Sequence, residues 1–233
     1  MLREIDRHLW VVEQPQKFMG LEVGTKMTVI RLSDGSILLI SPVKIDSQLQ
    51  QQLDELGEVK YIVAPNLFHY LYVADCQKIY PQAQTIAPPG LTDKIPTLKV
   101  DQILTQDAIA FNSEVEYMLL EGFQIFVPPK IRKANEIIFY HPQSKTLIIT
   151  DSAFNLDNSL PLVTQIAARI LGSYQVLKPS WLEKIAVEDC SLLQQAIARV
   201  MNWDFERVIM AHGKIVTENA KEKLTAGYRW LLI

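Results

Sequence analysis

The sequence predicts an α/β protein with mixed parallel and antiparallel sheets. Its first half consists of short runs rich in Val, Ile and Leu, with one clear helical segment between them. A hairpin followed by a strand, a helix and a strand indicates a mixed sheet with a helix on one face. After Asp151 the chain becomes mainly helical, and one more strand and a final helix follow.

The composition narrows the class of protein. The 233 residues include 48% hydrophobic side chains, enough for a substantial core, and the net charge of −3 gives no electrostatic footprint for nucleic acid. The spacing of Cys76 and Cys190 matches no metal or redox motif. Glu4 and Asp6 stand where a signal peptide would have a basic and then an apolar segment. No apolar run reaches the roughly 18 residues that span a bilayer. We therefore expect a single cytoplasmic domain over residues 1–233 that binds a small molecule, with neither nucleic acid nor a membrane as partner.

The N-terminal third contains the first strands. The segments "HLWVVEQP" and "KMTVIRLSDGSILLISPV" are strand-like, and Asp34-Gly35 in the second predicts a hairpin turn. The short apolar run "KYIVAPN" predicts a buried strand. Between them lies the helical segment "DSQLQQQLDELG", in which leucines recur at helical spacing, beginning at Leu49. Either Asp46 or Ser47 caps the start of this helix, and Gly57 ends it.

The middle of the chain continues with short elements. A short helix, "LYVADCQKIYP", ends before Pro81, and the strand "AQTIAPPGL" runs into a Pro-Pro-Gly turn. Two short strands, "VEYMLLEG" and "FQIFVPP", come next. The segment "NEIIFYHPQSKTLIITD" predicts two strands around a "HPQSK" turn.

Helices dominate after Asp151. "LPLVTQIAARILGSY" and "VEDCSLLQQAIARVMNW" predict a helical insertion at about 160–202 between two strands. The apolar stripe of the second helix indicates core packing and comprises Leu192, Leu193, Ala196, Ile197, Val200 and Met201. The strand "FERVIMAH" and a C-terminal helix follow, with Thr217 or Asn219 as the cap, and we expect the terminal "YRWLLI" to pack on its own protein.

Three apolar runs end on residues that bind metals or transfer protons. "YIVAPNLFH" leads to Asn66 and His69, "TLIITD" leads to Asp151, and "VIMAHG" leads to His212. Function in α/β sheets collects where buried strands emerge, so strands that point the same way would bring these groups to one rim. One Asp and two His suit zinc or iron, and they also suit an acid, a base and an orienting group in a metal-free site.

Each of these residues also has a structural alternative. Asp151 is a candidate cap for the turn through "SAFN", His212 a polar strand end before Gly213, and His69 a hydrogen-bonded histidine at a helix start. The other two histidines, His8 and His141, are expected on the surface or in turns.

The order of these elements resembles the metallo-β-lactamase superfamily, and more narrowly its branch known as the domain-of-unknown-function 4336 family. The resemblance covers nearly the whole chain and is carried by "MTVIRLSDGSILLISPV", "YIVAPNLFHYLYVADCQKIYPQAQTIAPPGL", "EIIFYHPQSKTLIITDSAFNL" and "VIMAHG". It implies a four-layer αβ/βα sandwich with the metal site at the rim between the two sheets. Asp151 falls at the position of the bridging Asp of that superfamily, and His212 at the position of its final His.

The chain departs from the superfamily's His-x-His-x-Asp-His segment. Asn66 and Phe68 occupy the places of the first two histidines, and His69 lies near the Asp-His pair. A later His, expected around "FVPPKIRK", is absent, and Ser41 stands where the second strand usually presents an Asp. The resemblance therefore implies one zinc or iron ion bound by His69, Asp151 and His212, with the metal-free cleft as the alternative.

Neighbouring side chains would complete the site. Asn66 is a weak fourth ligand or a pocket residue, and Phe68 and Tyr70 would form part of the pocket wall. Lys130 and Arg132, in the loop after Pro129, are candidate contacts for an anionic substrate, and a solvated loop is the alternative.

The resemblance implies a metal-dependent hydrolase of a small ester, thioester or lactone-like substrate. Asp151 would be catalytic, because a carboxylate ligand also orients the attacking water. The alternative is a non-catalytic, metal-free relative that binds a small molecule or a protein through the old active-site cleft. A third hypothesis is a metal-free acid–base enzyme that uses a His69–Asp151–His212 network. It lacks an obvious nucleophile, although Ser152 is adjacent.

Overall fold

A computed structural model describes residues 1–105, 108–127 and 129–231. The strands are, in chain order, β1 (Leu2–Asp6), β2 (Leu9–Gln14), β3 (Lys17–Phe18), β4 (Leu21–Glu22), β5 (Thr25–Arg31), β6 (Ile37–Ile40), β7 (Val59–Val63), β8 (Gln84–Ala87), β9 (Gln102–Ile103), β10 (Ala108–Ala110), β11 (Val115–Leu119), β12 (Gln124–Val127), β13 (Lys130–Lys133), β14 (Ile137–His141), β15 (Thr146–Ile148) and β16 (Arg207–Ile209). The α-helices are α1 (Ser47–Leu56), α2 (Val73–Ile79), α3 (Leu91–Lys94), α4 (Leu162–Leu171), α5 (Trp181–Ala186), α6 (Cys190–Val200) and α7 (Ala220–Gly227). A 3-10 turn covers Pro142–Ser144, within the predicted "HPQSK" turn.

Two mixed sheets organise the chain. Within the described ranges, the first sheet has seven strands in the order β1-β2-β5-β6-β7-β8-β9, and the second has five in the order β10-β11-β14-β15-β16. β5 and β6 are antiparallel and joined through Asp34-Gly35, whereas β6, β7 and β8 are parallel. The predicted hairpin and the predicted strand–helix–strand unit are therefore both confirmed.

Helix α1 begins and ends as its sequence predicts. The Asp46 carboxylate accepts a hydrogen bond from the Leu49 N–H at 2.8 Å, which makes Asp46 the cap in preference to Ser47. Gly57 ends the helix at φ 153°, and a Cβ there would lie 2.0 Å from the Gly35 carbonyl oxygen. The hairpin turn thus packs directly on the end of α1.

The core is divided into layers. One cluster of buried side chains lies between the sheets and joins Leu38 and Ile40 of β6 to Phe139 of β14. The alternate β6 residues, Ile37 and Leu39, point to a second cluster with α1 and α2. A third cluster packs the outer face of the second sheet against α6 and α7. The order is therefore helices, sheet, sheet, helices, as expected for the αβ/βα sandwich.

The segment between β15 and β16 contains α4, α5 and α6. Of the stripe predicted for α6, Leu193, Ala196, Ile197 and Val200 are buried and Met201 packs against their cluster. Leu192 is 42% exposed, so its assignment to the core was wrong: it lies at the edge of the buried face. Helix α5 has no counterpart among the sequence predictions, because six residues are too few for a periodic pattern.

Two further details differ from expectation. His141 is buried at the end of β14 and shares a 2.8 Å hydrogen bond with the Ser144 hydroxyl, whereas the sequence placed it on the surface or in a turn. Asn219 precedes α7 with φ 49° and makes no side-chain capping hydrogen bond. At the C-terminus Tyr228 and Leu231 are buried in the core, as predicted for "YRWLLI", and positions 232–233 lie outside the described residues.

Candidate metal centre

Asp151 and His212 leave the second sheet side by side. β15 and β16 are parallel neighbours in which Ile148 pairs with Ile209. Asp151 and His212 each lie three residues beyond this pair, so the register carries both to the same edge.

His69 reaches the same point from the first sheet. It follows β7, and its segment is tied to the second sheet by two backbone hydrogen bonds, from Leu67 N–H to the Ala134 carbonyl at 2.9 Å and from Ile137 N–H to the Pro65 carbonyl at 2.7 Å. The site therefore lies at the rim between the two sheets.

His69, Asp151 and His212, called the donor residues below, each offer one atom that can bind a metal, and these three atoms form a triangle. His69 Nε2 lies 3.1 Å from His212 Nε2, and Asp151 Oδ1 lies 3.5 Å from the first and 3.3 Å from the second. Ligand atoms of a tetrahedral zinc ion with bonds of about 2.0–2.1 Å lie about 3.3–3.4 Å from one another. The three residues present therefore fit one metal ion.

The far side of each imidazole ring is occupied by protein. His212 Nδ1 lies 2.6 Å from the Gly24 carbonyl, and since a carbonyl oxygen only accepts, Nδ1 must carry the proton. His212 Nε2 therefore faces His69 and Asp151, and it presents a lone pair to them in the neutral ring and an N–H donor in the imidazolium form. His69 Nδ1 lies 2.8 Å from the Ser41 hydroxyl, whose oxygen accepts a hydrogen bond from Nδ1–H when Nε2 serves as a ligand.

Asn66 is fully buried and links the backbone around His69 to the Asp151 side chain. Its Oδ1 accepts hydrogen bonds from the Phe68 and His69 backbone N–H groups, both at 2.8 Å. Its Nδ2 donates to Asp151 Oδ2 at 2.7 Å. Both polar atoms of Asn66 are engaged by protein, so this side chain orients His69 and Asp151, in place of the expected weak ligand role.

Asp151 is buried yet ionised. Burial raises the pKa of its carboxyl group, but the facing His69 and His212 rings and their hydrogen bonds outweigh burial and hold that pKa well below its usual range. The site therefore holds an ionised carboxylate opposite the two imidazole rings.

Glu136 supports Asp151 from beneath and was missed by the sequence reasoning. Its carboxylate accepts from the backbone N–H groups of Thr150 and Asp151, both at 2.8 Å, and from the Ser152 hydroxyl at 2.7 Å. Burial and the neighbouring Asp151 charge raise the pKa of Glu136. A Glu before the apolar "IIFYH" strand carries no spacing signal, because its partners are distant in the chain.

The same contacts decide against Ser152 as a nucleophile. The side chain is buried, and its hydroxyl donates to Glu136 beneath the site. Ser152 therefore stabilises the loop after β15 and does not supply the nucleophile that the third hypothesis lacks.

The loop after His212 is braced by a buried lysine. Lys26 Nζ donates to the Gly213 carbonyl at 3.0 Å and lies 3.5 Å from Glu13 Oε1. Gly213 has φ 96°, and a Cβ there would lie 2.4 Å from the Asn155 carbonyl oxygen. Glycine is therefore required where the chain turns away from His212.

A cavity of about 690 Å³ opens beside the three donor residues. The expected wall residues Phe68 and Tyr70 are among the side chains that line it, and Lys94 Nζ lies 4.5 Å and 5.0 Å from the centres of their rings. Lys130 and Arg132 lie exposed on strand β13, where a loop was expected, and neither of them lines the cavity.

Several solved structures have the same fold. The chain is similar to the metallo-β-lactamase DIM-1 (TM-score 0.68, 11% identity, 99% of this chain and 96% of that one). It is also similar to a metallo-β-lactamase from Pontibacter korlensis (TM-score 0.65, 14% identity, 96% and 95%) and to FIM-1 from Pseudomonas aeruginosa in its mono-zinc form (TM-score 0.66, 10% identity, 100% and 96%). At these identities the similarity establishes the fold alone.

Three further findings bear on membranes and on the family. No helix within the described residues is long and apolar enough to span a bilayer. A search of curated proteins finds no match. A family model described as "Domain of unknown function (DUF4336)" matches residues 6–180. The chain therefore belongs to the DUF4336 family and has the metallo-β-lactamase fold.

Proposed function

We propose that this protein is a metal-dependent hydrolase with one zinc or iron ion, acting on an ester, thioester or lactone-like bond. The observation that carries the proposal is the triangle of His69 Nε2, His212 Nε2 and Asp151 Oδ1, with separations of 3.1–3.5 Å. The mono-zinc form of FIM-1 is a precedent for a single ion in this fold.

The three donor residues would hold the ion. When bound, the ion would lower the pKa of a water molecule and so supply a nucleophile near neutral pH. In the hydrolysis, the water oxygen forms a bond to the carbonyl carbon, the bond to the leaving alcohol or thiol breaks, and the leaving group takes up a proton.

The protein's own groups prepare this step. The Gly24 carbonyl and the Ser41 hydroxyl would accept hydrogen bonds from the two Nδ1–H groups, so that both Nε2 atoms would be available to hold the ion. Asn66 engages Oδ2 of Asp151, which leaves Oδ1 for the ion and for orienting the water. The apolar cavity beside the site limits competing water and strengthens the electrostatic interactions at the carbonyl group.

Elemental analysis of the untagged full-length chain tests the proposal, after incubation with zinc, iron or manganese and removal of the excess. We expect close to one metal ion per chain, lost in Asp151→Ala and retained in a His8→Asn control far from the site. Zinc- or iron-loaded protein is then assayed on p-nitrophenyl and thioester substrates. A chain that takes up no metal would instead favour the metal-free relative that binds ligands through the cleft.

A further inference from the structure

The cavity beside the metal centre is built mainly from hydrocarbon. Beyond the three donor residues its walls include Leu21, Phe126, Phe154, Leu156, Leu171 and Leu182. These come from the β3–β4 hairpin, β12, the loop after β15, α4 and α5. An apolar wall drawn from so many elements indicates a ligand that buries a substantial apolar surface.

Among the described residues, three charged side chains besides Asp151 line this wall, and each contacts other groups of the protein. Lys17 lies 3.6 Å from Glu22, and its side chain is largely exposed. Lys94 donates to the Leu67 carbonyl and lies over the Phe68 and Tyr70 rings. The buried Glu183 accepts a hydrogen bond from the Ser180 hydroxyl. Because each of these groups already contacts protein, we place the polar end of the ligand at the three donor residues.

The apolar surface continues outward from the cavity mouth. Phe18 and Met19, at the tip of the β3–β4 hairpin, line the cavity and are 43% and 60% exposed. Helix α4 packs against β4 and lines the cavity with Ala167 and Leu171, and it bears apolar residues on its outer face as well. The mouth thus offers apolar contacts to a chain longer than the cavity.

We propose that the substrate is an amphiphile, an ester or thioester of a straight-chain fatty acid, whose alkyl chain lies in this cavity while its carbonyl group lies at the donor residues. The volume of about 690 Å³ has room for on the order of twenty water-sized groups, so an acyl chain of roughly ten carbons fits with its reacting bond. The inference that the substrate is an ester or thioester rests on the proposed function, whereas the inference that it carries an alkyl chain rests on the cavity alone.

The first experiment measures binding without metal. Straight-chain alcohols from 1-butanol to 1-octanol displace the neutral fluorophore N-phenyl-1-naphthylamine from chelator-treated full-length protein. Each methylene buried should tighten binding about three- to fourfold, so 1-octanol should bind on the order of a hundredfold more tightly than 1-butanol. Affinity that does not depend on chain length would overturn the proposal.

Matched variants locate the binding. Ala167→Trp places an indole in the cavity and should weaken 1-octanol binding at least tenfold, whereas Ala198→Trp on the exposed face of α6 should leave it unchanged. Leu21→Trp, on the neighbouring strand β4, also places an indole in the cavity and serves if the α4 variant fails to fold. Undiminished binding in the folded blocking variants would contradict the proposal.

A second experiment separates the two proposals. Zinc-loaded protein is assayed on p-nitrophenyl butyrate and p-nitrophenyl decanoate, and we expect kcat/KM to be at least tenfold higher for decanoate. Hydrolysis of both esters at equal kcat/KM would overturn the alkyl-chain inference and leave the hydrolase standing. Length-dependent alcohol binding without hydrolysis of either ester would support the alkyl chain and count against the hydrolase.

Discussion

Asp151 and His212 stand at matching positions beyond two paired parallel strands, and Asp151 Oδ1 lies 3.3 Å from His212 Nε2. The register that pairs Ile148 with Ile209 sets this contact, because each functional residue follows its strand residue by three positions. Two of the three donor residues therefore follow strands of the second sheet, and His69 alone follows a strand of the first sheet.

Replacing His212 with alanine should remove bound metal with little loss of stability. Two donors remain, and the lost side chain is at the cavity edge, outside the hydrophobic clusters. Metal content by mass spectrometry and a thermal melt together check this. The His8→Asn variant is the control, and full metal content in His212→Ala would show that the assigned site is wrong.

Ser41→Ala should weaken zinc binding by about 10–100-fold, because the hydroxyl that orients His69 Nδ1 is lost while all three donors remain. Competition with a chromophoric chelator measures the zinc dissociation constant. Ser191→Ala, at an exposed position on α6, is the matched control. Equal affinity in the two variants would mean that Ser41 does not orient the ring.

Asn66→Ala should lower the free energy of unfolding by about 2–4 kcal/mol, because two backbone N–H groups and one carboxylate oxygen lose their buried partner. Urea unfolding of the metal-free protein measures this loss without a contribution from metal binding. Asn158→Ala, which alters an exposed side chain, should cost less than about 0.5 kcal/mol. If Asn66→Ala also lowered the free energy of unfolding by less than about 0.5 kcal/mol, Asn66 would not position His69 and Asp151.

Glu136→Gln should destabilise the metal-free protein by about 2–3 kcal/mol, since an amide NH₂ group replaces one of the two oxygens that accept from the Thr150 N–H, the Asp151 N–H and the Ser152 hydroxyl. Urea unfolding beside the exposed control Glu218→Gln measures the difference. Unfolding midpoints that coincide for the two variants would show that the carboxylate does not support the loop.

The two cysteines should differ sharply in reactivity. Burial raises the pKa of the Cys76 thiol to about 12, and the thiolate is the reactive form, so Cys76 is protonated and enclosed at pH 8. Cys190 is exposed at the start of α6. Ellman's reagent should therefore titrate one thiol in the native chain and two in denaturant, and rapid reaction of both thiols before unfolding would contradict the burial of Cys76.

Local patterns in the sequence determined most of the elements. The Asp34-Gly35 turn, the Asp46 cap and the Gly57 stop involve residues close in the chain, so composition and spacing report them directly. Asp151, His212 and His69 were recognisable because each follows a buried run, a signal that is also local. The position of helix α5 and the exposure of Leu192 were not, because a short helix and the edge of an apolar stripe depend on what packs beside them.

Tertiary structure alone decided how the site is assembled. The hydrogen-bond partners of the donor residues lie far away in the chain. His212 bonds to the Gly24 carbonyl, and His69 bonds to the Ser41 hydroxyl. The backbone N–H of Asp151 donates to Glu136. Such pairings arise when two sheets pack face to face, and no periodicity in the sequence encodes them. The apolar cavity has the same origin, because its walls come from a hairpin, strand β12 and two helices that meet only in the folded chain.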